Sequence, residues 1–504
     1  MRSYIVGLST NYLGLAVSMA IQVFLLPFLL NHIGPQLTGL YYLFMTISNF
    51  MAVGIGWLSG SGVYLLASSD AHDEKINTQE VHWIVFLGFG AYASLMLIVI
   101  SAGSMTVGHW WLRGADPSLI KEARNACILL GLYIWLTYLH LADISLFTAI
   151  LQQGWANFYR IVSQIVFFIV VILIVLSKPR LDLLMLANLI GVIVAAVAAR
   201  LHLRISGRLG PSRWHLPRSE LVRKMFLTIG GSYFISSIAQ FGLIYGDVFL
   251  ISAILGSSMV SAYLVIWKIP EVIALILGRI SEILSPYLTR ISSREGSIRT
   301  ASLFLSTSRL QHCLGIICGL AYSLFGPTLV GFWVGEAHRP EEPWFYWVAG
   351  IVLAIHVINK HDVILHYALA KLGKLVLPQF VELFLKVILT FTLFRSLGIM
   401  APLVAVLIVQ LLGITWVYRA SALKQINISW VDWLYQVGIW AGVVLIAVIG
   451  TSFPFHRLFP PDSGINFMIS ISVYVLVAVV LVMLIERHQH QNGLLNLYKM
   501  IPKV

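Results

Sequence analysis

Apolar runs long enough to cross a membrane recur from one end of this chain to the other, and that recurrence leaves few folds open. A helical span needs about 20 such residues. About fourteen runs qualify, centred near Val17, Met51, Ala93, Tyr133, Val170, Ile193, Ala239, Leu275, Cys318, Leu353, Leu389, Val406, Val444 and Ala478. They are continuous rather than alternating over about ten residues, which argues against a membrane β-barrel. The expected fold class is all-α and integral to a membrane. Composition agrees: 59% of the 504 residues are hydrophobic and 11% are charged, too polar-poor for a soluble surface.

The first run continues from Arg2 to Pro27, too long for the core of a cleavable signal peptide, and no small-residue site ends it. It is expected to be the first span. Cys127, Cys313 and Cys318 all fall inside expected spans and offer neither a disulfide framework nor metal-ligand spacing. The net charge of +12 is best understood by position. With the N-terminus inside the cell, the inner segments hold about 20 Lys and Arg and the outer loops about 8. Both termini are therefore expected in the cytoplasm. The strongest segment, RLHLRISGRLGPSRWHLPRSELVRK at Arg200–Lys224, holds seven Lys and Arg against one acid. Its surplus marks orientation and contact with anionic headgroups, not nucleic-acid binding.

That basic segment also divides the chain, with six spans before it and eight after. A shift of 222 residues lays LLPFLLNHIGPQLTGLYYLFMTI (Leu25–Ile47) on DVFLISAILGSSMVSAYLVIWKI (Asp247–Ile269), with Gly34 on Gly256 and Tyr41 on Tyr263. The same shift carries the third and fourth spans onto the ninth and tenth. The expected organisation is a six-helix bundle over 1–206, a cytoplasmic linker over 207–224, a second six-helix bundle over 225–424, and two further helices with a tail over 425–504. Repeats of even span number enter the membrane with one polarity, which puts the working site between the halves. The outer loops near Trp110–Ala123, Gly335–Pro343 and Ser452–Gly464 are short. They leave no room for the catalytic outer loop of a polytopic glycosyl transferase or polymerase.

One span breaks the apolar rule. YLVIWKIPEVIALILGRISEILSP, Tyr263–Pro286, carries Lys268, Glu271, Arg279 and Glu282. On a helix all four fall in a stripe about 80° wide. A stripe of charge cannot face lipid, because each charge costs about 2.5–3.5 kcal/mol on insertion scales. Lys268 and Glu271 lie about 18–22 Å below the outer turn, and Pro270 is placed to kink the helix beside them. The 222-residue shift sets Thr46 against Lys268 and Asn49 against Glu271. Gln22 on the first span and Gln240 and Asp247 on the seventh extend the polar lining. Further buried candidates are Asp143, Arg309, Lys360, Asp362, Glu382 and Lys386, giving five expected buried cations. The spacing of Lys268–Glu271 and Arg279–Glu282 also allows each pair simply to neutralise itself. His356, His361 and His366 do not converge on a metal. Asp362 and His366 share a face, which allows a proton relay or ordinary polar packing. Walker, dinucleotide, zincin and nucleophile-elbow motifs are absent from the sequence.

The segment Leu8–Ser68, with its turn IGPQLTGLYYLF and a span ending in the Gly/Ser-rich GIGWLSGSG, resembles the polysaccharide biosynthesis family, flippases of the Wzx type. The resemblance implies the two-bundle fold of multidrug and toxic compound extrusion transporters. It also implies movement of an undecaprenyl-diphosphate-linked oligosaccharide from the inner to the outer leaflet of the bacterial inner membrane by alternating access. No enzyme activity and no cofactor are implied. The partners would be that lipid-linked oligosaccharide, membrane lipids, a polysaccharide polymerase and a chain-length regulator. Related lipid flippases carry arginines in the first helices, whereas here the first two spans have none past Arg2. That departure moves the expected headgroup site to the eighth span. Lys268, Arg279, Asn49, Gln240, Lys360 and Arg309 become the substrate-binding candidates. Asp247, Glu271 and Glu282 become candidates for gating, or for carrying a coupling proton or sodium ion. A multidrug cation exporter of the same fold is the alternative.

Overall fold

The computed structural model describes residues 2–52, 78–106, 112, 116–150, 152–207, 231–294, 296–369, 371, 373–458 and 464–488. Among them every regular element is helical. Twelve helical stretches are long and apolar enough to cross a membrane. Two of these are double-length. Ser9–Met51 is broken at Gly34, and Gly373–Gln425 turns at Gly398–Met400. Counting the limbs separately gives fourteen helical stretches among the described residues, close to the expected number. The limb centred near Met51 is described only as far as residue 52.

The chain forms two compact units, Met1–Ser261 and Ala262–Val504. The first contains α1 (Arg2–Met51), α2 (Thr78–Gly103), α3 (Pro117–Ala149), α4 (Gln153–Ser177), α5 (Leu181–Ile205), α6 (Gly231–Leu255) and the start of α7 (Ser257–Arg294). The expected linker at 207–224 lies outside the described residues beyond Gly207. Asp116 caps α3 by accepting from the Ser118 N–H at 2.9 Å. That bond holds its carboxyl below the usual carboxylate range. α3 packs against α2 and α5, while α4 packs against α1 and α5.

Gly34 and Gly256, which the 222-residue shift superposes, have φ of 78° and 91°. This is the left-handed region that a side chain disfavours. Each ends one helix and begins the next with almost no loop between them. Five residues past the first turn, Gly39 lies against the Ser257 carbonyl, and a Cβ there would collide with it. Small residues let helix backbones approach in this way where lipid supplies no hydrophobic drive between helices.

The second unit contains the rest of α7, α8 (Ser297–Val334), α9 (Pro343–Ala368), α10 (Gly373–Leu397), α11 (Ala401–Val409) and α12 (Thr415–Gln425). It ends with α13 (Trp430–Trp433), α14 (Ile439–Leu458) and α15 (Gly464–His488). α7 runs unbroken through Pro270. α8 and α9 pack along their length, with Gly319 and Gly350 back to back. Short π-helical turns at Gln410–Ile414 and Leu434–Gly438 interrupt the last helices. α14 and α15 pack on α8 through Phe325, Val444, Val448, Phe467 and Tyr474. Outward faces stay apolar, as at Leu377, Phe384, Leu412 and Ile446, which suits contact with lipid chains.

Candidate functional site

α7 places Lys268, Glu271, Arg279 and Glu282 on one side, as their spacing requires. The side chains pair in two steps. Lys268 Nζ lies 2.9 Å from Glu271 Oε2, and Arg279 Nη1 lies 2.6 Å from Glu282 Oε2. A third cation arrives from α9: Lys360 Nζ is 3.1 Å from the other Glu282 oxygen. A Cβ on Gly278 would sit 3.6 Å from Lys360 Cγ, so the lysine stem crosses α7 at this point. Three cations thus share two carboxylates, leaving a net charge of +1 on the ladder.

The two steps differ in access. Lys268 is enclosed, with its side chain 8% exposed, whereas Arg279 and Lys360 are 46% and 44% exposed. This corrects the expectation of five buried cations: of those named, Lys268, Arg309 and Lys386 are buried. Arg279 and Lys360 extend beyond the helix surface while holding Glu282 between them. A fork of accessible cations around one carboxylate suits a multiply charged anion, since Arg and Lys can exchange one acceptor for another without losing ionic partners.

Arg309 has another role. It is 2% exposed and donates through Nη1 to the Gln436 carbonyl at 3.2 Å, on the second π-turn. A π-turn frees carbonyls from the regular ladder, and this one is met by a buried cation. In the first unit, Asn49 is exposed near the end of α1, Gln240 is half-buried on α6 and Asp247 is buried. Gln22 donates to Ser18 at 3.3 Å on the α1 face.

Two buried clusters complete the polar interior of the second unit. Arg419 on α12, not anticipated from the sequence, donates through Nε to both oxygens of Asp362, at 3.0 and 2.8 Å. Its Nη2 reaches His312 Nε2 at 3.0 Å, and its guanidinium carbon lies 4.4 Å from the Trp433 ring centre. His312 Nδ1 is 2.6 Å from the Ser308 carbonyl, which can only accept. Nδ1 therefore carries the proton, and Nε2 accepts from Arg419. His366 is placed by the same logic. Nδ1 donates to the backbone oxygen of Asp362 at 2.9 Å, and Nε2 meets the Ser421 hydroxyl at 2.8 Å. Asp362 and His366 share a face, yet no bond joins their side chains, because Arg419 occupies the carboxylate. In the second cluster, Glu382 accepts from Gln410 Nε2 at 2.7 Å and from the Tyr418 hydroxyl at 2.6 Å. No three metal-ligating side chains converge among the described residues.

No family model matches the sequence. A curated relative is the putative O-antigen transporter of Shigella flexneri, 25% identical over 376 residues, which cover 72% of this chain and 84% of that protein. Among solved structures, the lipid II flippase MurJ in an inward closed conformation matches with a TM-score of 0.72. It is 13% identical, and the match covers 97% of this chain and 100% of that one. An inward-facing multidrug resistance MATE transporter of the MOP superfamily matches with a TM-score of 0.66 at 12% identity, over 84% and 99% of the two chains. At such identities the solved structures establish the fold. The chain therefore has the fold of these two transporters, and its twelve long apolar helices among the described residues mark it as a multi-pass membrane protein.

Proposed function

We propose that the chain is a flippase for undecaprenyl-diphosphate-linked oligosaccharide repeat units, of O-antigen or a similar polysaccharide. It moves them from the cytoplasmic to the outer leaflet of a bacterial inner membrane by alternating access, with both termini in the cytoplasm. The observation that carries this reading is the ladder on α7 and α9, with its two accessible cations and net charge of +1. A diphosphate joins the sugar to the lipid in such a substrate, and Lys and Arg are its natural partners. The polyprenyl tail need never leave the bilayer, so only the head requires a polar path. The sequence relative named for O-antigen and the fold shared with a lipid II flippase support the same substrate class.

Lys268, Arg279 and Lys360 contact the diphosphate or an acidic sugar in this reading, and Asn49 and Gln240 bond sugar hydroxyls. Glu271 and Glu282 hold the cations apart between cycles, and Asp247 contributes to gating. A proton or sodium gradient supplies the drive, and a polymerase and a chain-length regulator receive the product. The alternative is a multidrug cation exporter, favoured by the MATE likeness. The positive ladder opposes it.

The test uses the full chain in proteoliposomes, with a labelled undecaprenyl-diphosphate saccharide and leaflet-specific quenching. Arg279→Ala and Lys360→Ala should each slow translocation at least tenfold at normal membrane yield. Translocation at the wild-type rate in both variants would remove the ladder from the mechanism. Failure to move the lipid, together with energy-dependent export of cationic dyes, would establish the alternative.

A further inference from the structure

The first unit holds a second group of ionisable side chains, away from the ladder and unused by it. α2 brings His82, and α3 brings His140 and Asp143, three residues apart and so on one face. His82 Nε2 lies 3.3 Å from Asp143 Oδ1, with the two side chains 5% and 2% exposed. His140 is also buried. We propose that His82 and Asp143 form a proton-binding site in the first unit, with His140 one turn away from Asp143 on α3. This inference does not depend on what the chain transports.

The first argument comes from hydrogen bonds left unmade. In the second unit His312, His361 and His366 each have both ring nitrogens engaged, to Ser308 and Arg419, to Ser281 and Thr307, and to Asp362 and Ser421. Those are packing histidines with their tautomers held. In the first unit, among the described residues, both nitrogens of His140 lack a hydrogen-bond partner. His82 Nε2 and Asp143 Oδ1 face each other at ion-pair distance without hydrogen-bond geometry. Buried polar groups left without such bonds carry a desolvation cost that a bound proton can relieve.

The second argument is charge. No Lys or Arg lies at ion-pair distance from Asp143 among the described residues, so its natural counter-charge is a protonated His82. A buried carboxylate left without a counter-charge is strongly unfavourable. One proton shared by the pair gives a neutral site. A second proton gives a buried cation.

The neighbours penalise that second charge. Arg160 on α4 lies within electrostatic reach of His140. Arg200 on α5 sits 4.6 Å from the centre of the Phe86 ring, one turn beyond His82. His202 on α5 is tied to the Tyr159 hydroxyl at 3.0 Å. Phenols near this part of α3 are Tyr92 on α2, Tyr133 and Tyr138 on α3 itself, and Tyr41 on α1, which stay neutral at ordinary pH; Lys121, Glu122, Arg124 and Cys127 lie toward the other end of α3. The cluster therefore favours one bound proton. The proton leaves from His82 Nε2 or Asp143 Oδ1, the two atoms 3.3 Å apart.

The test is pH-difference infrared spectroscopy of the full chain in liposomes, with no transport substrate present. Between about pH 5 and about pH 8, the wild type should show carboxyl and imidazole bands changing together with one midpoint. Asp143→Asn and His82→Gln should each abolish that paired change, Asp143→Glu should retain it, and His140→Gln should shift its midpoint. A paired change that persists in Asp143→Asn, or a carboxyl change unaltered in His82→Gln, would overturn the proposal. So would a wild-type spectrum without the paired change.

Discussion

Breaking the Asp362–Arg419 pair gives a result that can be worked out in advance. Arg419 reaches both carboxylate oxygens, at 3.0 and 2.8 Å, and His312 at 3.0 Å, and all three residues are buried. Asp362→Asn preserves shape and one acceptor but leaves the guanidinium without a counter-charge. Hydrogen bonds between membrane helices average only about 0.6 kcal/mol in double-mutant cycles. The larger part of the effect must therefore be the uncompensated charge, about 3–5 kcal/mol when one partner of a buried pair is removed. Arg419→Met should cost a similar amount, because it leaves a bare carboxylate. The double variant Asp362→Leu with Arg419→Met removes both charges and should return to within about 1 kcal/mol of wild type or exceed it. Reversible unfolding in bicelles, read as a double-mutant cycle, measures each corner. Single variants that lose under about 1 kcal/mol, or a double variant as weak as the sum of the singles, would refute the reasoning. Lipid translocation by the double variant at the wild-type rate would mark the pair as architectural.

Gly278→Ala should leave translocation intact, since a Cβ 3.6 Å from Lys360 Cγ is an ordinary contact. Gly278→Leu should push Lys360 off Glu282 and cut the proteoliposome rate severalfold without loss of membrane yield. Gly39→Leu must displace the Ser257 backbone, and overpacking of this kind costs about 1–3 kcal/mol; a lowered unfolding temperature in detergent is the readout. Tyr418→Phe removes a hydroxyl donor to the buried Glu382 while Gln410 still donates. A loss of about 1–3 kcal/mol is expected in the same unfolding assay.

Much of the fold was legible because membrane burial imposes a simple code. Continuous apolar runs marked the helices, and the pairing of Gly34 with Gly256 located two turns where a positive φ is needed. The α7 ladder was legible for the same reason, as four charges at helical spacing cannot scatter around a span. What was not legible depended on which helix lies beside which. Lys360 was flagged, but its bridge to Glu282 requires α9 to cross α7 at Gly278, and no local pattern encodes that crossing. Arg419 escaped notice in TWVYRASALKQ because a cation near a helix end normally snorkels to the interface. Only the fold shows it turned inward onto Asp362. Asp143 was visible as a buried acid, whereas nothing in the sequence singles out His82, which the fold sets 3.3 Å away.

The central claim is that this chain carries lipid-linked saccharide across a membrane. The most direct measurement is the pool of undecaprenyl-diphosphate-linked saccharide, by mass spectrometry, in cells lacking the gene, with surface polysaccharide read in parallel. The account predicts that a complete repeat unit accumulates on its lipid while surface polymer disappears, and that the intact gene restores both. An Arg279→Ala, Lys360→Ala double variant should fail to restore them. An unchanged pool together with unchanged surface polymer would contradict the account.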